Sequence, residues 1–83
     1  MIKKDYIMEQ IGLLKVDEEE QRMKAEIQRA IAEVYAKYGR NDKARSRRGM
    51  ARGHEAEADS IQDEIEKLEI ELEIEKLEIE LEE

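Results

Sequence analysis

Over most of this chain apolar residues recur at spacings of three and four, the period of an α-helix that buries one stripe. Ile7, Ile11 and Leu14 share such a stripe and predict a first helix over about residues 5–14, weakened by Gly12. Around Val16 and Asp17 the phase changes. Asp17 with Glu20 resembles a capping box with Asp in the Ser/Thr role, and the acidic residues after it suit the positive end of a helix dipole, so a second helix is expected over 18–38. Its stripe is Met23, Ile27, Ala30, Ile31, Val34 and Tyr38, and Gly39 ends it as a C-terminal cap. Asn41 or Asp42 then caps a third helix over 42–82, whose seam runs through Ala44, Arg47, Ala51, His54, Ala58, Ile61, Ile65, Leu68 and Leu72.

The connection between the second and third helices is short, which favours antiparallel neighbours. The stripes then oppose Val34 to Arg47, Ile31 to Ala51, Ile27 to His54 and Met23 to Ala58, with Val16 and Leu13 meeting Ile65 and Leu68. The expected fold is all-α: an antiparallel helical hairpin or coiled coil with a short N-terminal helix and a long C-terminal helix, in one domain spanning residues 1–83. Gly49 and Gly53 oppose a continuous third helix, since each costs about 1 kcal/mol relative to Ala in a helix interior. The alternative starts a fresh helix at Ser60 with Asp63 and leaves Arg40 to His54 as a basic loop. In a continuous helix, Ser46, Gly49 and Gly53 form a small-residue strip that another helix can approach closely.

Residues 64–72 read EIEKLEIEL, and residues 73–81 repeat them without a change. Such identity marks recent duplication or deliberate construction. Nine residues make two and a half helical turns, so the second copy turns its apolar stripe to the opposite side. Ile61, Ile65, Leu68, Leu72 and Ile79 then lie on one side, and Ile70, Ile74, Leu77 and Leu81 on the other. A hairpin partner covers only one of these, so the second stripe predicts self-association into a homo-oligomer. A strand reading competes over Leu68 to Ile74, where apolar residues alternate with Glu; Lys76 breaks the alternation and no turn residue separates the copies.

Composition agrees with helices. Ala, Glu, Lys, Leu and Arg supply 47 of 83 residues, above the roughly half that marks long helices and coiled coils. Ile, Leu and Val supply only 18, and there is no Phe, so the core is thin. The absence of Cys excludes disulfides, thiolate metal sites and a cysteine nucleophile. No apolar run reaches the length of a membrane span, and Glu9 and Gln10 interrupt the start after Met1-Ile2-Lys3-Lys4-Asp5, so a soluble, unprocessed, cytoplasmic protein is expected.

Charge divides the chain by region. Residues 1–39 are close to balanced, 40–54 hold six basic residues against one acid, and 55–83 hold two basic against fourteen acidic, for a net charge of −8. In a hairpin the bases gather at the tip and the acids at the far end. The basic tip can pair with the acidic helix of another copy and fix an antiparallel orientation. It can also contact nucleic-acid phosphates through Arg45, Arg47, Arg48 and Arg52, although no aromatic residue sits within the basic run for base stacking. A third option is that the acidic helix acts as an inhibitor in a basic groove of a protein partner.

Signals for chemistry are sparse. His54 is the only histidine, and the residue three before it is Ala51, which excludes the Glu-x-x-His pairs of a di-iron bundle. The Glu spacings are those of a solvated helix face, and there is no phosphate loop or EF-hand pattern. Ser46 and Ser60 suit packing and capping, and Tyr6, Tyr35 and Tyr38 suit the edge of a core. No catalytic residue, cofactor or metal ligand is assigned. The reading is a non-catalytic module for self-association or protein interaction, with Ile70, Ile74, Leu77 and Leu81 as the contact residues. The stretch from Glu26 to Leu68 resembles the coiled-coil arm of bacterial transcript-cleavage and secondary-channel factors, which probe RNA polymerase with an acidic tip. Here Asp42 stands alone among Arg40, Lys43 and Arg45, so the paired acids that would hold a metal ion are missing.

Overall fold

The computed structural model describes residues 3–82; Met1, Ile2 and Glu83 of the expected 1–83 domain lie outside them. Two helices, α1 (Lys3–Lys37) and α2 (Asn41–Glu82), pack against each other as an antiparallel hairpin. The rod measures 67 × 16 × 13 Å with a radius of gyration of 19.0 Å, against about 12 Å for a compact domain of this length.

The turn follows from Gly39. Its φ of 76° is the left-handed conformation that glycine adopts without penalty. This lets the Arg40 amide donate to the Tyr35 carbonyl at 2.8 Å and the Gly39 amide to the Ala36 carbonyl at 3.0 Å, the paired bonds of a Schellman C-cap. The Arg40 carbonyl accepts from the Ala44 amide at 3.0 Å and so opens α2. Asn41 and Asp42, expected as caps, instead sit inside the first turn because Arg40 holds the capping position, and Asp42 there faces the positive end of the helix dipole. Residues 41–54 are helical throughout, which resolves the choice between helix and basic loop.

Two expectations for the N-terminal half are corrected. First, no break occurs at Val16 and Asp17: the expected helices over 5–14 and 18–38 are one continuous α1. The spacing set by Ile7, Ile11 and Leu14 simply continues through Glu18, Gln21, Ala25, Gln28, Ala32 and Tyr35, all of them buried or half-buried. Asp17 and Glu20 lie within the helix, exposed. Second, the stripe of Met23, Ile27 and Val34 does not face α2. These side chains are exposed, Ile27 at 55%, while Ile31 is half-buried at the edge. Leu13 and Val16 are likewise exposed and do not meet Ile65 and Leu68.

The reason lies in what α2 presents. Its expected seam is correct: Ala44, Ala51, Ala58 and Ile65 are buried, and Arg47, His54, Ile61, Leu68 and Leu72 half-buried. Against Val34 and Ile27, Arg47 and His54 would lose water and gain no partner, which costs about 1–3 kcal/mol for each polar group. With α1 in its observed rotation, the Arg47 guanidinium donates to Gln28 Oε1 at 3.1 Å, and His54 Nδ1 lies 2.8 Å from Gln21 Oε1. No buried side-chain nitrogen or oxygen among the described residues lacks a partner. The observed rotation thus gives both polar groups partners and leaves Met23, Ile27 and Val34 on the outside.

The hairpin has two different halves. Near the open end Ile7, Ile11 and Ile65 form the apolar core, with Leu14, Ile61, Leu68 and Leu72 packed against it. Toward the tip the buried residues are Ala25 and Ala32 on α1 and Ala44, Ala51 and Ala58 on α2, small side chains that permit close approach of the helix axes. Cross-helix ion pairs flank the seam: Arg29 with Glu55, Arg22 with Asp59 at 3.4 Å, and Lys3 with Glu71 and Glu75 at 3.7 and 3.8 Å. The Arg29 guanidinium holds the Glu55 carboxyl below its usual range, the hydrogen bond between them being the main cause.

Candidate association surfaces and the basic tip

Both helices carry a second stripe that points away from the partner. On α1 it consists of Leu13, Val16, Met23, Ile27 and Val34, which share one face with Glu20 and Ala30 between them and are exposed along its length. From Leu13 to Val34 it runs about 32 Å at 1.5 Å per residue. On α2 the outward face divides. Ser46, Gly49, Gly53, Ala56 and Ser60 are all small and exposed, and Ile70, Ile74, Leu77 and Leu81 follow in the same helical phase.

The structure places those last four where the duplication predicts them. Each is at least half exposed, up to 86% at Leu81, whereas Ile65 on the opposite side is 1% exposed and Ile79 is half-buried. Sequence reasoning missed the α1 stripe as a surface because it assigned Met23, Ile27 and Val34 to the seam. The signal that identifies it is the unbroken spacing from Ile7 onward, joined to the need of Arg47 and His54 for polar partners.

At the tip, Arg45, Arg48 and Arg52 are exposed, and their spacing of three and four puts them on one face of α2. Arg47, read with them from the sequence, is turned into the seam by Gln28 and is half-buried. Lys43 lies over the Tyr35 ring at 5.6 Å from its centroid and Lys37 over Tyr38 at 5.9 Å, so these cations line aromatic faces at the turn. Tyr35 packs at the end of the seam, whereas Tyr6 and Tyr38 are exposed.

Beside the seam run two open grooves, one bordered by Tyr6, Gln10, Leu14, Glu64, Lys67 and Leu68, the other by Met8, Ile11, Gly12, Lys15, Glu69 and Leu72. Among the described residues no three His, Cys, Asp or Glu side chains converge to hold a metal ion, and no helix is long and apolar enough to cross a membrane. No protein-family model, curated protein or solved structure matches the chain.

Proposed function

We propose that this chain is a cytoplasmic, non-catalytic helical module whose work is association, with itself first and with another macromolecule second. The observation that carries the reading is the outward stripe of Ile70, Ile74, Leu77 and Leu81, four large apolar side chains in helical phase that α1 leaves uncovered. A contiguous apolar strip of this kind is uncommon on a monomer and marks a contact surface. The total accessible surface supports it. The chain exposes 6516 Å², whereas a compact monomer of 9.8 kDa would expose about 5,200 Å². The excess, roughly 1,300 Å², is more than the ~800 Å² that each partner buries in a standard protein interface, so the rod has surface enough for one.

Sedimentation equilibrium on the full chain and on a version ending at Leu72 tests the proposal. The full chain is expected to assemble and the truncated chain to assemble less. A full chain that stays at 9.8 kDa into high micromolar concentration removes the self-association reading.

A second reading rests on the single exposed face shared by Arg45, Arg48 and Arg52: a small regulator that binds nucleic-acid phosphates. Its signature is binding to DNA or RNA that weakens steeply with salt, and an absence of such binding to both removes it. The excess of acids beyond residue 54 leaves room for a third role, in which the acidic helix occupies a basic groove on a protein partner.

A further inference from the structure

The α1 stripe has a complement on the opposite side of the same molecule. We propose that the outward face of α1 docks on the outward face of α2 of a second copy, side by side and antiparallel, so that hairpins add head to tail. This rests on the association reading above and extends the contact from the Ile70–Leu81 end of α2 to its tip half. The large residues Leu13, Val16, Met23, Ile27 and Val34 are the ridge, and the small residues from Ser46 to Ser60 are the groove.

Three observations select this occupant. The first is position. Within the hairpin, α1 residues lie level with α2 residues whose numbers add to about 77: the Gln21–His54 and Gln28–Arg47 contacts give 75 and Arg22–Asp59 gives 81. A neighbour set beside the molecule without sliding therefore brings Ile27 between Gly49 and Gly53 and Met23 between Gly53 and Ala56. The same placement sets Tyr6 between Ile70 and Ile74 but Leu13 between Asp63 and Lys67, so the close fit lies over the tip half.

The second observation is the glycines. A Cβ at Gly53 would meet no atom within 4 Å, and one at Gly49 would meet only the Arg52 side chain at 3.8 Å. Nothing inside the hairpin needs the space they leave, yet both weaken the helix interior they occupy. The space they leave faces outward, toward the level of the neighbour's ridge.

The third is charge on the flanks. In antiparallel contact, side chains bordering the stripe on one helix meet those bordering it on the other along the same edge. One edge sets Glu33 beside Arg45 and Glu26 beside Arg52; the other sets Ile31 beside Met50 and Lys24 beside Glu57. Among the described residues Glu26, Glu33, Arg45 and Arg52 form no ion pair within the hairpin and are exposed. The obvious rival, α1 on α1 about a two-fold axis, would set Glu19, Glu26 and Glu33 against one another. Toward the open end Glu19 falls beside Asp59 and Asp17 beside Glu64, so the contact is tightest over the tip half. Because the two faces lie on opposite sides of one chain, the contact is heterologous and adds copies in series.

Two sets of variants test this by sedimentation equilibrium. Gly49→Leu with Gly53→Leu fills the groove at positions open to solvent in the monomer; it is expected to keep the helical circular dichroism signal and to weaken association about tenfold. Glu26→Arg with Glu33→Arg, and separately Arg45→Glu with Arg52→Glu, each set like charges together and weaken association about tenfold, while an equimolar mixture of the two restores it. If the unaltered chain assembles but the Leu variant assembles equally well, or the mixture restores nothing, the inference is overturned and the association reading stands. If the unaltered chain is itself monomeric, both fall.

Discussion

Ile65 and Ile27 are the same residue type on facing helices, yet the structure assigns them opposite weights. Ile65 is 1% exposed at the centre of the cluster formed with Ile7 and Ile11, while Ile27 stands on the outer face of α1. Ile65→Ala removes three carbons from a packed site, for which losses of about 2–5 kcal/mol are usual; a seam only two helices thick collapses partly into the space, so about 3 kcal/mol is expected. Ile27→Ala forfeits partial contact with its own helix but gains helix propensity, and its net effect is within about 0.5 kcal/mol. Urea unfolding followed by circular dichroism, at a concentration low enough that assembly does not contribute, measures both. With a slope near 1 kcal/mol per molar urea, Ile65→Ala moves the midpoint by about 3 M and Ile27→Ala by less than about 0.5 M. Ile65→Val, worth about 1 kcal/mol, keeps the comparison measurable if the Ala variant is unfolded without denaturant. Equal losses at the two positions, or the larger loss at Ile27, would refute the rotation of α1 and with it the outward stripe.

Other expectations follow from the same contacts. Gly49→Ala and Gly53→Ala should each stabilise the dilute hairpin by about 1 kcal/mol, and a rise in thermal midpoint of about 4–8 °C apiece checks it; a fall would mean that the hairpin itself requires the glycines. Gln21→Ala leaves His54 without its seam partner and should cost about 1 kcal/mol in urea unfolding, whereas no loss would mean that water replaces Gln21 freely. Because Arg29 holds the Glu55 carboxyl below its unfolded range, their pair contributes at neutral pH, and that contribution disappears as pH falls through the depressed value. Thermal midpoints of Glu55→Gln and the unaltered chain should therefore differ at neutral pH and converge in acid; a difference that persists in acid would contradict the pairing.

The sequence made α2 readable in detail because its seam, from Ala44 to Leu72, keeps one spacing throughout, and Gly39 marked the turn by its backbone freedom alone. The two-sided repeat was equally legible, since nine residues force a half-turn whatever the helix packs against. The rotation of α1 was not. Judged by hydrophobicity, Met23, Ile27 and Val34 outrank Gln21, Ala25, Gln28 and Ala32 as seam residues; the structure reverses that order and so meets the needs of Arg47 and His54 for polar partners across the hairpin. Those needs are tertiary: they arise when the two helices are set side by side, and a stripe read one helix at a time does not contain them. The false break at Asp17 has the same origin, because a change of apolar phase looks like a helix boundary when the continuing seam is made of Glu, Gln and Ala. The Arg cluster was legible as a cluster, but the turning of Arg47 away from Arg45, Arg48 and Arg52 was not.

The rate of thiol labelling at Met23→Cys, followed as protein concentration rises, tests the central claim most directly, since the chain has no other cysteine. An outward stripe that a second molecule covers gives fast labelling in dilute solution and progressive protection on concentration. Slow labelling in dilute solution would place Met23 in the seam after all, and labelling that stays fast at every concentration would leave the stripe uncovered by any second copy.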